Sequence, residues 1–559
     1  MNSAIGPGAE RPSGDERDAG DTQTLGTIAP ARAIAETLST TLGPNGLDKM
    51  VINRSGTVIV TNTGATVLDG LAVDAPTGRV VRNAVRTQAR RIGDGTTTTA
   101  LLIGELLGRA ERLVAQGLHP TWIVDGYLLA AECAEETLRQ LAVPVDSGDG
   151  TTLRAVASTA VTGRWDASAT EQFADLTLSA LRSVNFDATT LTLHAYPGGE
   201  LSDSERIDGI LIDADSSSTS LDRPETPIGQ VLRSPTLALV GDEIQPIGAK
   251  AAGTVVVRDA DGLAAVHGHE REATNDIHRT VVGLGVDVLA CHRSIDDAVR
   301  TELARAGVLS IERTRRDEFD ALARATNASV VHDVSDLDAD SLGSAGTVRR
   351  RRIGPSNVLT ATGLPAESHT SVVLRGGTPH VAEETRRIVD EGIAVVRHAA
   401  QRGGVVPGGG AGMIAVSRAV ESRAAGVGDR SALAVEAFAD AVTEIPRTLA
   451  SNAGADPIDA LAAIRERHHG GEPGVGVSRS GSPRDMLDVG VLEPVTVPIN
   501  CLATAVETAV LLLRIDDVLD ADGTEDHGGH EHERDAHGHS HGHESEQDGH
   551  GGYPWALSH

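Results

Sequence analysis

The architecture open to this chain is limited most by a change of pattern that sets in near its middle and then reverses. The first third reads as helices separated by short turns. Ile34, Leu38 and Leu42 recur at four-residue spacing before a Gly43-Pro44 stop, and another helical run begins at Thr96, directly after Gly93-Asp94-Gly95. From about residue 286 the periods alternate, with VDVLACH, VLSIER and SVVHD as short strands and SIDDAVRTELARAG and DEFDALARATNA as helices between them. Long helical patterns return after Gly410. The two ends are alike in class and could form one discontinuous helical domain with a compact α/β module inserted.

The cores must be aliphatic. Phe, Tyr and Trp make only 2% of the 559 residues while 40% are hydrophobic, so Ala, Val, Leu and Ile supply nearly all the apolar surface to be buried. Asp and Glu number 79 against 49 for Lys and Arg, and the net charge of -30 repels nucleic acid and anionic membrane, so neither is expected as a partner. The basic side is nearly all Arg, with Lys49 and Lys250 the lysines. Such a surface repels itself unless abundant cations screen it, which is the composition of a halophile. A GC-rich genome would favour Arg, Ala and Gly but would not by itself produce the acidic excess.

Cys133, Cys291 and Cys501 are few and widely spaced, which fits a reducing interior and encodes no metal site. The N-terminus is polar and acidic, and no stretch approaches the roughly 20 apolar residues of a membrane span, so a soluble, cytoplasmic protein is expected.

Residues 1–22 are rich in Gly, Ser, Pro and acidic residues and read as a mobile arm. Pro30 opens the first helical segment, and Met50 to Ile52 and Thr57 to Thr61 flank Asn-Arg-Ser-Gly as a β-hairpin. From about Ala521 a low-complexity tail carries nine of the 21 histidines, as in DAHGHSHGHE. It is read as disordered. It suits either a solvated spacer or a buffer for nickel, copper or zinc through neutral imidazoles, and the spacer is the preferred reading.

Two runs can meet a phosphate. In GDGTTTT, residues 93–99, glycines permit close backbone approach, Thr hydroxyls and first-turn amides point outward, and Asp94 can hold a hard cation. Gly408, Gly409 and Gly410 form a second permissive turn before a helix. Taken alone, the first run is read in preference as an ordinary helix N-cap, and the second by default as a tight turn between packed elements.

Taken in order, these pieces resemble the group II chaperonins, the thermosome and its eukaryotic cytosolic relatives, and specifically a divergent archaeal subunit of haloarchaeal type. TTLGPNGLDKM, VTNTGATVL, GDGTTTTALLIGELL and GLHPTWIVDGY look like the family's first equatorial half, STAVTGR like the start of its intermediate domain, and SVVLRGGTPHV like its return strand. VVPGGGAGM, SNAGADPIDAL, DMLDVGVLEP and ETAVLLLRIDDVL resemble the second equatorial half. The likeness covers about residues 24–519. It implies a multidomain α+β chain with a mostly helical discontinuous equatorial domain (23–145 and 404–520), a small α/β intermediate domain (146–207 and 369–403) and an α/β apical domain (208–368), outside the 1–22 arm and the 521–559 tail. The family's helical protrusion would fall around Val255 to Gly285, where HGHEREATNDIHRTVV is polar and poorly periodic.

The function implied is ATP-dependent assistance of protein folding in a double ring of like or mixed subunits that binds unfolded clients, with ATP, Mg²⁺ and K⁺ as cofactors. Carried over, Leu42, Gly43 and Pro44 contact the nucleotide, Asp94 holds Mg²⁺, Gly95, Thr96, Thr97 and Thr98 cradle the phosphates, and Gly409 and Gly410 line the ribose side. Glu493 matches an acidic residue near the nucleotide, and Arg164 stands where the family often has a lysine that senses the terminal phosphate. Two catalytic positions depart from the pattern. Thr63 replaces an aspartate that helps position the attacking water, and Glu391, next to Asp390, aligns with the second catalytic aspartate. Thr63 cannot act as a base, so binding of ATP is expected intact and its hydrolysis slow. The alternative is an ATP-binding, hydrolysis-impaired subunit that builds or tunes mixed rings.

Overall fold

The computed structural model describes residues 28–52, 56, 58–213, 231–246, 260–365 and 369–515. The acidic arm and the histidine-rich tail lie outside the described residues, as does the stretch 247–259 at the start of the region assigned to the protrusion. A helix over 28–39 contains Pro30 in its first described turn and runs out before Gly43. Its last carbonyls are not left open: Asn452, far along the chain, donates through Nδ2 to Ser39 O and Leu42 O, each at 2.9 Å. The strands Lys49–Ile52 and Val58–Thr61 then pair antiparallel, with Lys49 opposite Thr61.

Four helices complete the first part: Gly64–Gly70, Pro76–Ile92, Thr96–Ala115 and Pro120–Leu141. Five more follow at the other end: Ala411–Ala424, Ala432–Ala441, Glu444–Asn452, Pro457–His469 and Thr496–Leu513. The two sets share one core, in which Leu38, Val85, Leu102, Leu106 and Leu138 pack with Val416, Phe438, Leu502 and Val506. The core is aliphatic as the composition requires, and among the described residues its aromatic pair is Tyr127 edge-on to Phe438, with ring centroids 6.2 Å apart. Thr496–Leu513 is the one described helix long and apolar enough to cross a membrane, where the sequence predicts no stretch of that kind. Two thirds of it is buried against the other helices, as in the core of a folded domain.

Between these sets the chain builds sheets. Thr370–Gly376 is the central strand of three, parallel to Leu191–Pro197 and antiparallel to Glu205–Ile207. The helices Gly150–Val161, Ala167–Ser183 and Pro379–Gln401 cover it through Leu153, Phe173, Leu181, Val389 and Ile393. Further in, the parallel order Val330–Val331, Thr236–Val240, Val288–Cys291, Leu309–Ile311 is the strand and helix alternation read from about residue 286, with Asp297–Arg305 and Arg316–Thr326 as its helices. An antiparallel sheet runs Gly209–Asp213, Ser356–Thr362, Thr347–Ile353, Val231–Arg233 and shares an apolar layer with the parallel one through Ile210, Ile212, Leu237, Phe319 and Leu359. In the region read as a polar protrusion a single helix, Ala260–Gly283, is present, and Ala273, Thr274 and Val281 are buried on it.

Candidate functional site

The helix Thr96–Ala115 opens on Gly95, in the left-handed region at φ +75°, and Ala411–Ala424 opens on Gly410 at φ +78°. A glycine holds that conformation without strain, and no side chain caps either helix, so first-turn amides are left for an external anion. Both helix ends line one cavity of about 280 Å³. Its lining also takes in Leu42, Gly43 and Pro44, Thr63, Asp94, Thr96, Thr97 and Thr98, Arg164, Glu391, Gly409 and Glu493. Segments hundreds of residues apart in sequence therefore meet here. Of the candidates named from sequence, Asp390 alone does not line the cavity: it is exposed, about 100° around its helix from Glu391.

The loop geometry is fixed by partners the motifs do not announce. Gln88, fully buried, donates through Nε2 to Asp94 O at 2.8 Å, and the Gly95 amide donates to Asp94 Oδ1 at 2.6 Å. Thr41 and Thr97 share a hydrogen bond at 3.1 Å between their hydroxyl oxygens. Cys501 reaches Gly95 O at 3.4 Å, and Thr159 Oγ1 accepts from the Leu492 amide at 3.1 Å, beside Glu493. Asn62 Oδ1 is buried, lines the same cavity and has no hydrogen-bond partner. An orphaned acceptor of this kind costs roughly 1–3 kcal/mol unless a ligand, ion or water meets it.

Electrostatically the cavity holds more acid than base. Burial pushes the Asp94 carboxyl up, with the Gly95 amide and Arg164 pulling the other way. Burial and the charge of Asp94 push Glu493 up to about 8. Glu391 is pushed up to about 7 by burial, opposed by Arg164 and reinforced by Asp94 and Glu384. Buried carboxyls crowded around Asp94 in this way are relieved by a divalent cation. Among the described residues no group of three His, Cys, Asp or Glu side chains could hold a metal by itself. A cation here would take the rest of its oxygen ligands from water or a bound anion, and two open helix ends suit that anion to be a polyphosphate.

One further contact joins three of these residues. Thr63 Oγ1 accepts from Arg164 Nη2 at 3.0 Å and lies 3.5 Å from Glu391 Oε2, while Arg164 Nη2 is 3.8 Å from the same carboxylate oxygen. Neighbouring contacts reinforce the approach of the Pro379–Gln401 helix: Thr61 donates to Glu384 Oε1 at 3.0 Å, and His398 Nε2 lies 3.0 Å from Arg91 O.

The model of the TCP-1/cpn60 chaperonin family matches residues 34–522, and the chain belongs to that family. Among relatives, it is similar to archaeal thermosome subunits. It is 36% identical over 520 residues to the thermosome subunit of Methanopyrus kandleri, covering 91% of this chain and 94% of that one. It is 36% identical over 511 residues to thermosome subunit alpha of Halobacterium salinarum, covering 90% of each. Thermosome subunit 1 of Haloferax volcanii is 35% identical over 522 residues, covering 92% of this chain and 91% of the relative.

Proposed function

We propose that this chain is an ATP-hydrolysing, protein-folding subunit that assembles with other chaperonin subunits into a cytoplasmic double ring and acts on unfolded clients. The observation that carries the reading is the shared cavity, in which two open helix N-termini, Asp94 and Arg164 converge on a space lined with both polar and apolar groups. In it, Leu42, Gly43 and Pro44 contact the nucleotide, Gly409 and Gly410 lie along the ribose, and the amides and hydroxyls of Gly95 to Thr98 take the phosphates. Mg²⁺, held by Asp94, supplies charge neutralisation at the phosphates, with K⁺ as a further counter-ion. Arg164 meets the terminal phosphate. Glu391, a carboxylate kept from ionising easily, is the group suited to accept a proton from the attacking water near neutral pH. The haloarchaeal character inferred from the acidic surface predicts that activity requires high potassium chloride.

Phosphoryl transfer depends on positioning and charge stabilisation. MgATP hydrolysis by the purified protein in molar potassium chloride, with ring assembly followed in the same samples, tests the proposal. Turnover that falls on the order of 10²-fold or more in Asp94→Ala is expected. Wild-type protein that assembles but binds no MgATP would overturn the reading. Binding without turnover, regained in rings mixed with a second subunit, would mark the assembly-subunit alternative.

A further inference from the structure

Thr63 and Glu391, the two catalytic positions at which the resemblance implies a departure, and Arg164, where it implies a lysine, are not scattered through the cavity; they lie in contact. Thr63 occupies the N-cap position of the Gly64–Gly70 helix, where a threonine hydroxyl ordinarily accepts from a first-turn amide, yet it makes no such bond. Its hydroxyl is turned instead to Arg164 Nη2 at 3.0 Å and Glu391 Oε2 at 3.5 Å. Thr63 is 7% exposed, and the Arg164 and Glu391 side chains are 16% and 25% exposed, so water does not satisfy these groups freely. A hydroxyl has one proton to give and lone pairs to accept with. With the guanidinium N–H taken up, the acceptor that its own proton meets among the described residues is the Glu391 carboxylate. An aspartate at 63 could accept from Arg164 but could donate nothing to Glu391. The glutamate, one methylene longer than aspartate, spans the distance that a shorter acid would leave open.

We propose that Thr63 is a positioning residue for ATP hydrolysis: Arg164 orients its hydroxyl, and the hydroxyl holds Glu391 toward the attacking water. The Thr63, Arg164 and Glu391 replacements are then one matched unit built around a single carboxylate. In the step itself the water oxygen bonds to the terminal phosphorus as the bond to the bridging oxygen of ADP breaks, and the water proton passes to Glu391. The 3.5 Å contact is long, as such contacts often are before substrate binds, and shortens as the phosphate engages Arg164. This rests on the ATPase reading above. It also reverses the simplest expectation for the site, since restoring aspartate at position 63 alone sets two acids against each other and gives Arg164 to the wrong one.

The experiment measures MgATP binding by calorimetry with a non-hydrolysable analogue and, separately, kcat and KM for ATP, on assembled protein. Thr63→Val, which keeps the shape and loses the hydroxyl, is expected to lower kcat about 10²-fold with KM and analogue affinity within about threefold of wild type. Thr63→Ser, which keeps the hydroxyl, recovers kcat to within about tenfold of wild type. Thr63→Asp lowers kcat, and Thr63→Asp with Glu391→Asp exceeds Thr63→Asp alone. Equal losses in the Val and Ser variants, or a rise in kcat for Thr63→Asp alone, overturn the inference while leaving nucleotide binding intact. Absence of analogue binding by the wild type removes the ATPase reading and this inference with it.

Discussion

A methyl group added at Gly95 tests how tightly the loop that opens the Thr96–Ala115 helix is held. A Cβ there would run into Cys501 Sγ and sit 3.2 Å from both Gln88 Nε2 and Val497 Cγ1, on a backbone at φ +75°. Holding alanine in the left-handed region costs about 1 kcal/mol, and forcing a methyl into packed surroundings adds about 1–3 kcal/mol. The loop conformation observed here becomes a minor one by about 2–4 kcal/mol, so the apparent Kd for a MgATP analogue rises about 30- to 700-fold in Gly95→Ala. Removing the obstructing sulfur should give back the packing part. The Gly95→Ala/Cys501→Ala protein, referred to Cys501→Ala alone, is expected to retain only about 1–2 kcal/mol of the penalty, a loss of about 5- to 30-fold. Calorimetric titration of assembled protein reads both numbers. Wild-type affinity in Gly95→Ala, or a double variant that binds no better than the single, would refute the argument that Cys501 and the left-handed glycine together set the loop.

Two further tests concern stability. Glu318 is 3% exposed and burial pushes its carboxyl up to about 7, with Asp317 and Asp213 adding to the rise and Arg315 opposing it. Its folded value lies above its unfolded one, so its contribution is complete below about pH 4.5 and is lost as pH rises through about 7. That loss is up to about 3 kcal/mol and should vanish from the pH dependence of unfolding in Glu318→Gln; identical pH slopes in the two proteins would contradict it. Tyr127 donates its buried hydroxyl to Leu106 O at 2.7 Å, so Tyr127→Phe should lower the stability of the helical core by about 1–2 kcal/mol in denaturant titrations, and an unchanged midpoint would count against that bond.

Punctuation by glycine and proline carries far in this sequence. The Gly43-Pro44 stop, the hairpin ahead of Thr61 and the helix beginning at Thr96 are local events with local causes, and each is present. The same holds for the alternation from Val288 to Val331. The strand Thr347–Ile353 is harder to see because four consecutive arginines hide the inward and outward alternation, with Arg350 buried and Arg349 and Arg352 exposed. Within the cavity, residues inside short motifs are legible. Gln88 and Cys501 are not, since they stand outside those motifs with partners 6 and 406 residues away, and although Thr41 and Thr159 fall within TTLGPNG and STAVTGR, their partners 56 and 333 residues away do not follow from those runs. The choice between Asp390 and Glu391 needs the rotation of one helix about its axis, which two adjacent acids in a sequence do not specify.

The helical core drawn from both ends of the chain also sets a timetable. Thr96–Ala115 packs against Thr496–Leu513, about 380 residues further on. At a synthesis rate of about 5–20 residues per second, the first helices leave the ribosome about 20–80 seconds before the partner that covers them. The strands Gly209–Asp213 and Ser356–Thr362 pair with each other, so the segment between them has its two ends side by side and can close while that wait continues. A nascent chain of this protein thus carries an uncovered beginning for most of its synthesis, joined by a closed middle only after Thr362 has been made, and the aliphatic face of its first helices is the surface left open to unwanted association during that interval.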